Sequence, residues 1–158
     1  LESQHPVRVE EYALVPNSCG AGRWRGGLGL SRSYRVLSKE AGLQLRADRM
    51  RFRPYGLQGG TEALGAINTL VQPNGEVESL PSKVNRTMYE GELIHHVQPG
   101  GGGFGDPMTR EPGRVAADVW NEKISAVYAR DEHGVVVDQA TGELDVAGTA
   151  NLRGALRK

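Results

Sequence analysis

Apolar and polar residues alternate along much of the first two thirds of the chain, the two-residue period of half-buried strands. Residues 7–15, VRVEEYALV, alternate for four positions and then slip, which predicts a bulged strand or an edge strand. Beyond a turn in PNSCGAG, Leu28, Leu30, Arg32, Tyr34 and Val36 fall on one face of a second strand, and residues 43–53, LQLRADRMRFR, read as a third. In that third strand Met50 and Phe52 would share one face and Arg49, Arg51 and Arg53 the other. Residues 64–71 run into Gln72-Pro-Asn-Gly75, where Asn-Gly signals a hairpin because both central positions tolerate φ > 0, and 76–80 form the return strand. A further strand at 92–98, ELIHHVQ, delivers the chain into QPGGGGFGDP at 98–107.

After Pro107 the period lengthens. Residues 112–120 place Val115, Asp118 and Val119 on one helical face, and Ser125 is an N-cap for AVYARDEH, which ends at Gly134, a residue suited to the left-handed C′ position. A short VVVD strand at 135–138 and a terminal helix over 146–157, weakened by Gly154, complete the chain. The predicted fold is mainly β, in sandwich or barrel-like antiparallel sheets, with a small C-terminal helical appendix. A glycine-rich β domain over 1–107 would carry the short helices and strand of 108–158 packed on it as one structural unit.

Composition sharpens this picture in a few places. The chain has 158 residues, the size of one domain, and 22 glycines, well above an average usage of about 7%. They cluster between apolar stretches without a G-X-Y period, so tight turns are expected and not collagen or disorder. Nineteen basic and nineteen acidic residues cancel, which argues against nucleic acid as the main partner. Residues 1–60 carry ten Lys/Arg and five Asp/Glu, a balance of +5. Most of the basic residues are arginine, and Arg46, Arg49, Arg51 and Arg53 would make either an internal or subunit contact with carboxylates or a solvated strand face. The single cysteine, Cys19, excludes an internal disulfide and any multi-cysteine zinc site. No apolar run approaches the roughly 20 residues that span a bilayer, and a cytoplasmic setting is expected. The chain does not begin with methionine and is expected to be a segment of a longer polypeptide.

The glycine run is the first candidate for chemistry. A Walker-type loop needs GxxxxGK[ST], and here Phe104, Gly105 and Asp106 follow instead; a dinucleotide fingerprint must open a long helix, and Pro107 comes too soon. A structural loop with close backbone approach is the main remaining reading. His95 and His96 are strand neighbours pointing to opposite faces and would not share one metal ion. His5 and His133, near a terminus and a helix end, are expected to be solvent-exposed. Cys19 follows Ser18 but lacks the GxSxG elbow and its helix, so a buried or half-buried thiol is expected. Asp106 and Asp118 are read as caps or hydrogen-bond acceptors, because no second titratable group lies beside either. No complete catalytic set is visible, and no metal ligands are assigned.

Four motifs taken together, NSCGAGRWRGGLGL at 17–30, DRMR at 48–51 with PYGLQGG at 54–60, PGGGGFGDP at 99–107, and ISA at 124–126 with HGV at 133–135, resemble the C-terminal part of hydantoinase B family subunits. That family includes N-methylhydantoinase and 5-oxoprolinase and is related to the large subunits of acetone and acetophenone carboxylases. The resemblance implies ATP-dependent opening of a cyclic imide or lactam: an A-type, ATP-binding partner activates the substrate by phosphorylation and the B-type part completes hydrolysis. The carboxylase branch and a purely docking module are the alternatives. ATP and a divalent metal are implied for the full enzyme and no cofactor for this segment, whose isolated activity is not expected. The implied partners are the rest of its own subunit and the A-type subunit, in an oligomer. Gly100, Gly101, Gly102, Gly103 and Asp106 of the run, with Arg25 and Arg49, are the candidate substrate or interface residues. Cys19 stands where such proteins often have glycine.

Overall fold

A computed structural model describes residues 1–156 of the chain. They form two compact units, each assembled from separated stretches: Leu1–Leu14, Leu30–Arg53 and Gly65–Pro99 in the first, and Val15–Gly29, Pro54–Leu64 and the chain from Gly100 onward in the second. The glycine run and the helices that follow Pro107 lie in the same unit.

The first unit is built from β1 (Val7–Val15), β2 (Gly29–Val36), β3 (Glu40–Arg46), β4 (Ile67–Val71), β5 (Val77–Ser79), β6 (Lys83–Tyr89) and β7 (Leu93–Val97). Five strands make a sheet in the order β1-β2-β7-β4-β5, with β7 antiparallel to both β2 and β4, and β3 and β6 form a separate antiparallel ribbon. Val36, Leu70 and Ile94 of the sheet meet Leu45 and Met88 of the ribbon, together with Leu80, in one apolar layer. This is the sandwich arm of the expectation. Burying each of these side chains contributes about 1.5–3 kcal/mol relative to exposure.

The strand expected over 43–53 instead runs from Glu40 to Arg46. Ala47 donates its N–H to Ser82 O at 2.7 Å, and Arg49 then takes φ +64°, a left-handed conformation that ends any strand. Met50, Phe52 and the arginines at 49, 51 and 53 therefore sit on a loop and not on two strand faces. Strand β6 has no counterpart in the sequence reading. Its KVNRTMY does alternate, with Val84 and Met88 turned inward, but Arg86 interrupts the apolar series and reaches Glu78 at 2.7 Å. The hairpin joining β4 to β5 forms as expected, although Gly75 alone of the Asn-Gly pair takes positive φ, at +90°. Asn74 contributes its side chain, accepting the Glu76 N–H at 3.0 Å.

The second unit carries a 3-10 turn (Pro107–Thr109), α1 (Pro112–Trp120), α2 (Ala126–His133), the short pair β8 (Val136–Val137) and β9 (Leu144–Asp145), and α3 (Val146–Leu156). Arg157, the last residue of the expected terminal helix, lies outside the described residues. Both predicted caps of α2 form: Ser125 Oγ accepts the Tyr128 N–H at 3.1 Å, and Gly134 is left-handed at φ 59°. Val115, Val119, Ile124, Ala129, Val135 and Val137 pack with Cys19 into this unit's core. His133, expected to be exposed, is fully buried, because α2 turns its last residue under the Pro107–Thr109 turn and not toward solvent.

Candidate functional site

Three segments of the second unit meet main chain to main chain: residues 18–27, 55–64 and the glycine run with Phe104 and Gly105. Gly100 donates its N–H to Leu64 O, Gly101 to Gly27 O, Gly103 to Thr61 O, Phe104 to Trp24 O and Gly105 to Leu57 O, all at 2.9–3.1 Å. In return, Gly101 O accepts from Gly20, Gly103 O from Leu57, Phe104 O from Trp24 and Gly105 O from Arg23. The run is thus the middle thread of a weave, hydrogen-bonded on two sides.

This geometry explains the residue type. A Cβ on Gly100 would overlap Ser18 O, one on Gly102 would overlap Tyr55 O, and one on Gly103 would overlap Ala21 O. None of the four glycines has a positive φ, so space and not conformation requires them. The same observation bears on phosphate binding. An anion cradle needs N–H groups aimed at the ligand, and those of Gly100, Gly101, Gly103, Phe104 and Gly105 already point at carbonyl oxygens. The run does not fit a phosphate.

Arg25 and Asp118, 93 positions apart, lock the weave to α1. Arg25 grips Asp118 with Nε to Oδ2 at 2.7 Å and Nη2 to Oδ1 at 2.9 Å, while Arg110 Nη2 reaches Oδ2 at 2.8 Å. Arg25 Nη1 also donates to Gly26 O and Arg110 Nη1 to Arg23 O, which ties both guanidiniums to the weave. Burial pushes the Asp118 carboxyl up, and the two guanidiniums outweigh it, leaving the group below the usual carboxylate range. The acceptor role expected of Asp118 holds, and neither of its guanidinium partners, Arg25 or Arg110, was revealed by the sequence. The signal of Arg110 would have been an arginine eight positions before an aspartate on the inward side of a helix. Asp106 caps the 3-10 turn, accepting the Met108 N–H at 2.8 Å.

The titratable groups around this frame are quiet. Burial raises the Cys19 thiol, whose neighbour Tyr128 donates its hydroxyl to Cys19 O at 2.7 Å, and burial raises the phenol too. Burial holds the His133 imidazole below its ordinary value; its Nδ1 donates to Pro107 O at 3.2 Å, and Nε2 has no partner among the described residues. In the first unit, Ser33 Oγ lies 2.8 Å from His95 Nδ1, and Glu11 Oε2 lies 3.9 Å from that same nitrogen. Serine and acid share one ring nitrogen, so the relay of a catalytic triad, which uses both, is not formed. On the other face His96 Nδ1 meets the buried Asn68 Oδ1 at 2.6 Å. Among the described residues no group of three or more His, Cys, Asp or Glu side chains is placed to hold a metal ion.

Of the candidate residues, Gly100, Gly101, Gly102, Gly103, Asp106 and Arg25 belong to this one unit, and Arg49 belongs to the other. No local pattern in the sequence marks the side chains that the weave presents outward. Trp24, Leu57 and Phe104, neighbours through isolated bridges on its three threads, are 51%, 55% and 47% exposed. Exposed aromatic side chains on a rigid backbone are common anchors of an interface.

The family described as hydantoinase B/oxoprolinase matches residues 1–107. Caprolactamase subunit beta of Pseudomonas jessenii is 35% identical over 170 residues, covering 98% of this chain and 27% of that subunit. The crystal structure of ATP-dependent caprolactamase from the same organism superimposes with a TM-score of 0.82 at 33% identity, over 98% of this chain and 27% of that one. A nucleotide-free acetone carboxylase has the same fold, with a TM-score of 0.82 at 23% identity over 96% of this chain and 25% of that one. The chain spans about a quarter of the length of three of the curated relatives it matches, and its match to the 5-oxoprolinase of Dictyostelium discoideum covers 8% of that protein.

Proposed function

The chain belongs to the hydantoinase B/oxoprolinase family, and from that premise we propose that it serves as the C-terminal scaffold and interface of an ATP-dependent hydrolase of cyclic imides or lactams. The observation that carries this reading is the weave with Trp24, Leu57 and Phe104 standing exposed on it. A rigid backbone bearing three apolar side chains is suited to dock polypeptide and to shape the wall of an active site. Identity to the caprolactamase, 33%, against 23% to the acetone carboxylase, supports amide opening over ketone carboxylation.

In the full enzyme ATP would supply phosphoryl activation of the ring carbonyl, and a divalent cation would neutralise its phosphates. The glycine run does not fit the phosphates, since the N–H groups of Gly100, Gly101 and Gly103 are occupied, and no metal-ligating cluster is formed among the described residues. We therefore place both groups on other parts of the enzyme, in the rest of the subunit and its A-type partner. What this chain supplies is position. Arg25 and Arg110, fixed by Asp118, hold the weave against α1, so that the surface around Phe104 stays in one place when substrate arrives. No helix of the described residues is long and apolar enough to cross a membrane, and the reading assigns the enzyme to the cytoplasm.

The test is reconstitution. The full B-type subunit carrying Trp24→Ala together with Phe104→Ala should assemble poorly with its A-type partner or lose most of its ATP-dependent lactam turnover, while this segment alone turns over nothing. Unchanged assembly and turnover in the double variant would overturn the interface role.

A further inference from the structure

The loop after β3 opens a cleft of about 640 Å³, the size of a small-ligand site, bordered by Ala47, Arg49, Met50, Arg51, Phe52 and Ser82. Its backbone is fixed at several points. Ala47 N–H is tied to Ser82 O, and the Arg49 carbonyl accepts the Ala66 N–H at 3.1 Å. Met50 sulfur accepts from the side chain of the buried Asn68 at 3.1 Å, so the residue between the two arginines is anchored in the sheet. Gly65 lies so close that a Cβ there would be 2.7 Å from Arg49 O. These contacts hold Arg49 in a left-handed conformation, at φ +64°, that arginine rarely adopts. Backbone strain maintained by its surroundings is a feature of ligand-binding loops.

Two arginines of this loop, Arg49 and Arg51, have no matching acid among the described residues. Several other arginines meet carboxylates: Arg8 and Arg35 meet Glu10, Arg25 and Arg110 meet Asp118, and Arg86 meets Glu78. Among the described residues Arg49 and Arg51 have no carboxylate within hydrogen-bonding distance, and the Arg51 guanidinium lies 5.3 Å over the Phe52 ring, itself 72% exposed. Stacking leaves the edge of a guanidinium, with its paired N–H donors, free to face a planar anion. Asp48 also borders the cleft and opposes one of the two positive charges.

We infer that this cleft is a binding site for a small oxyanion, a carboxylate or a phosphate, gripped by Arg49 and Arg51. Binding here does not require cyclic-amide hydrolysis, and its failure would leave the interface reading of the weave untouched. Calorimetric titration of the 158-residue chain with glutarate, inorganic phosphate and neutral glutaramide tests it. At least one anion should bind and glutaramide should not. The tighter of glutarate and phosphate identifies the natural class. Arg49→Gln and Arg51→Gln should each weaken binding about tenfold, in line with loss of a charged hydrogen bond, and Asp48→Asn should tighten it. Arg49→Gly separates the site from the fold: it should lose binding while raising the thermal midpoint, because glycine takes φ +64° without strain. Absence of binding by either anion, equal binding of glutaramide, or undiminished affinity in both glutamine variants would overturn the site.

Discussion

Gly26 and Gly101 approach so closely that a Cβ on Gly26 would overlap the Gly101 carbonyl oxygen, while Gly101 N–H bonds Gly27 O. Gly26 could not carry a side chain there without parting the threads. The four glycines of the run are therefore unequal. Gly102→Ala drives a methyl into Tyr55 O and should lower stability by about 3 kcal/mol, whereas Gly101→Ala meets Gly27 N at 3.0 Å and should lose about 1 kcal/mol. Gly27→Ala, with nothing within 4 Å of its Cβ, should be neutral or raise stability by about 0.5 kcal/mol. Urea unfolding of the three variants gives the order directly.

Asp118 holds two guanidiniums at once, so removing its charge leaves both without a counterion in a buried place. Asp118→Asn should lower stability by about 3 kcal/mol. The wild-type carboxyl lies below its unfolded value, so its contribution is full above about pH 4 and is lost as pH falls through the folded pKa. Acid unfolding of Asp118→Asn should lack that component.

His133 gives a second pH dependence with its own window. Burial depresses its pKa, so the unfolded chain binds the proton more readily. The stability that neutral His133 contributes is complete above about pH 6.5 and falls as pH drops from there toward the folded value. His133→Phe should flatten the stability profile between pH 7 and 5, read by chemical denaturation across that range.

Cys19 is 2% exposed and its thiol is pushed up by burial. Reaction with a disulfide reagent at pH 8 should be slow in the native protein and at least about a hundredfold faster in urea, since attack requires an exposed thiolate. Equal rates would mean that the core around Val115 and Ile124 opens readily.

Much of this fold was legible because its signals are local. The Asn-Gly hairpin, the Ser125 and Gly134 caps and the alternation of β2 and β7 depend on residues a few positions apart. Strand β6 was hidden by Arg86, whose partner Glu78 lies across a turn, and β3 was extended too far because the period of Leu43 and Leu45 continues to Ala47 while the backbone turns at Arg49. The candidate site was legible in kind and not in detail. Close backbone approach followed from residue type, yet the threads it meets, the Arg110 partner of Asp118 and the burial of His133 depend on pairs far apart in the chain or on packing that no period encodes.

The weave also fixes an order of events during synthesis. Its threads come from residues near 20, near 60 and near 103, and each supplies hydrogen bonds that another needs. A nascent chain that has emerged only as far as the second thread holds strand edges with no occupant, and closure waits for the third. Until then Cys19, later enclosed by α1 and α2, is open to solvent and oxidants, so the ribosome-bound chain is more vulnerable than the finished protein.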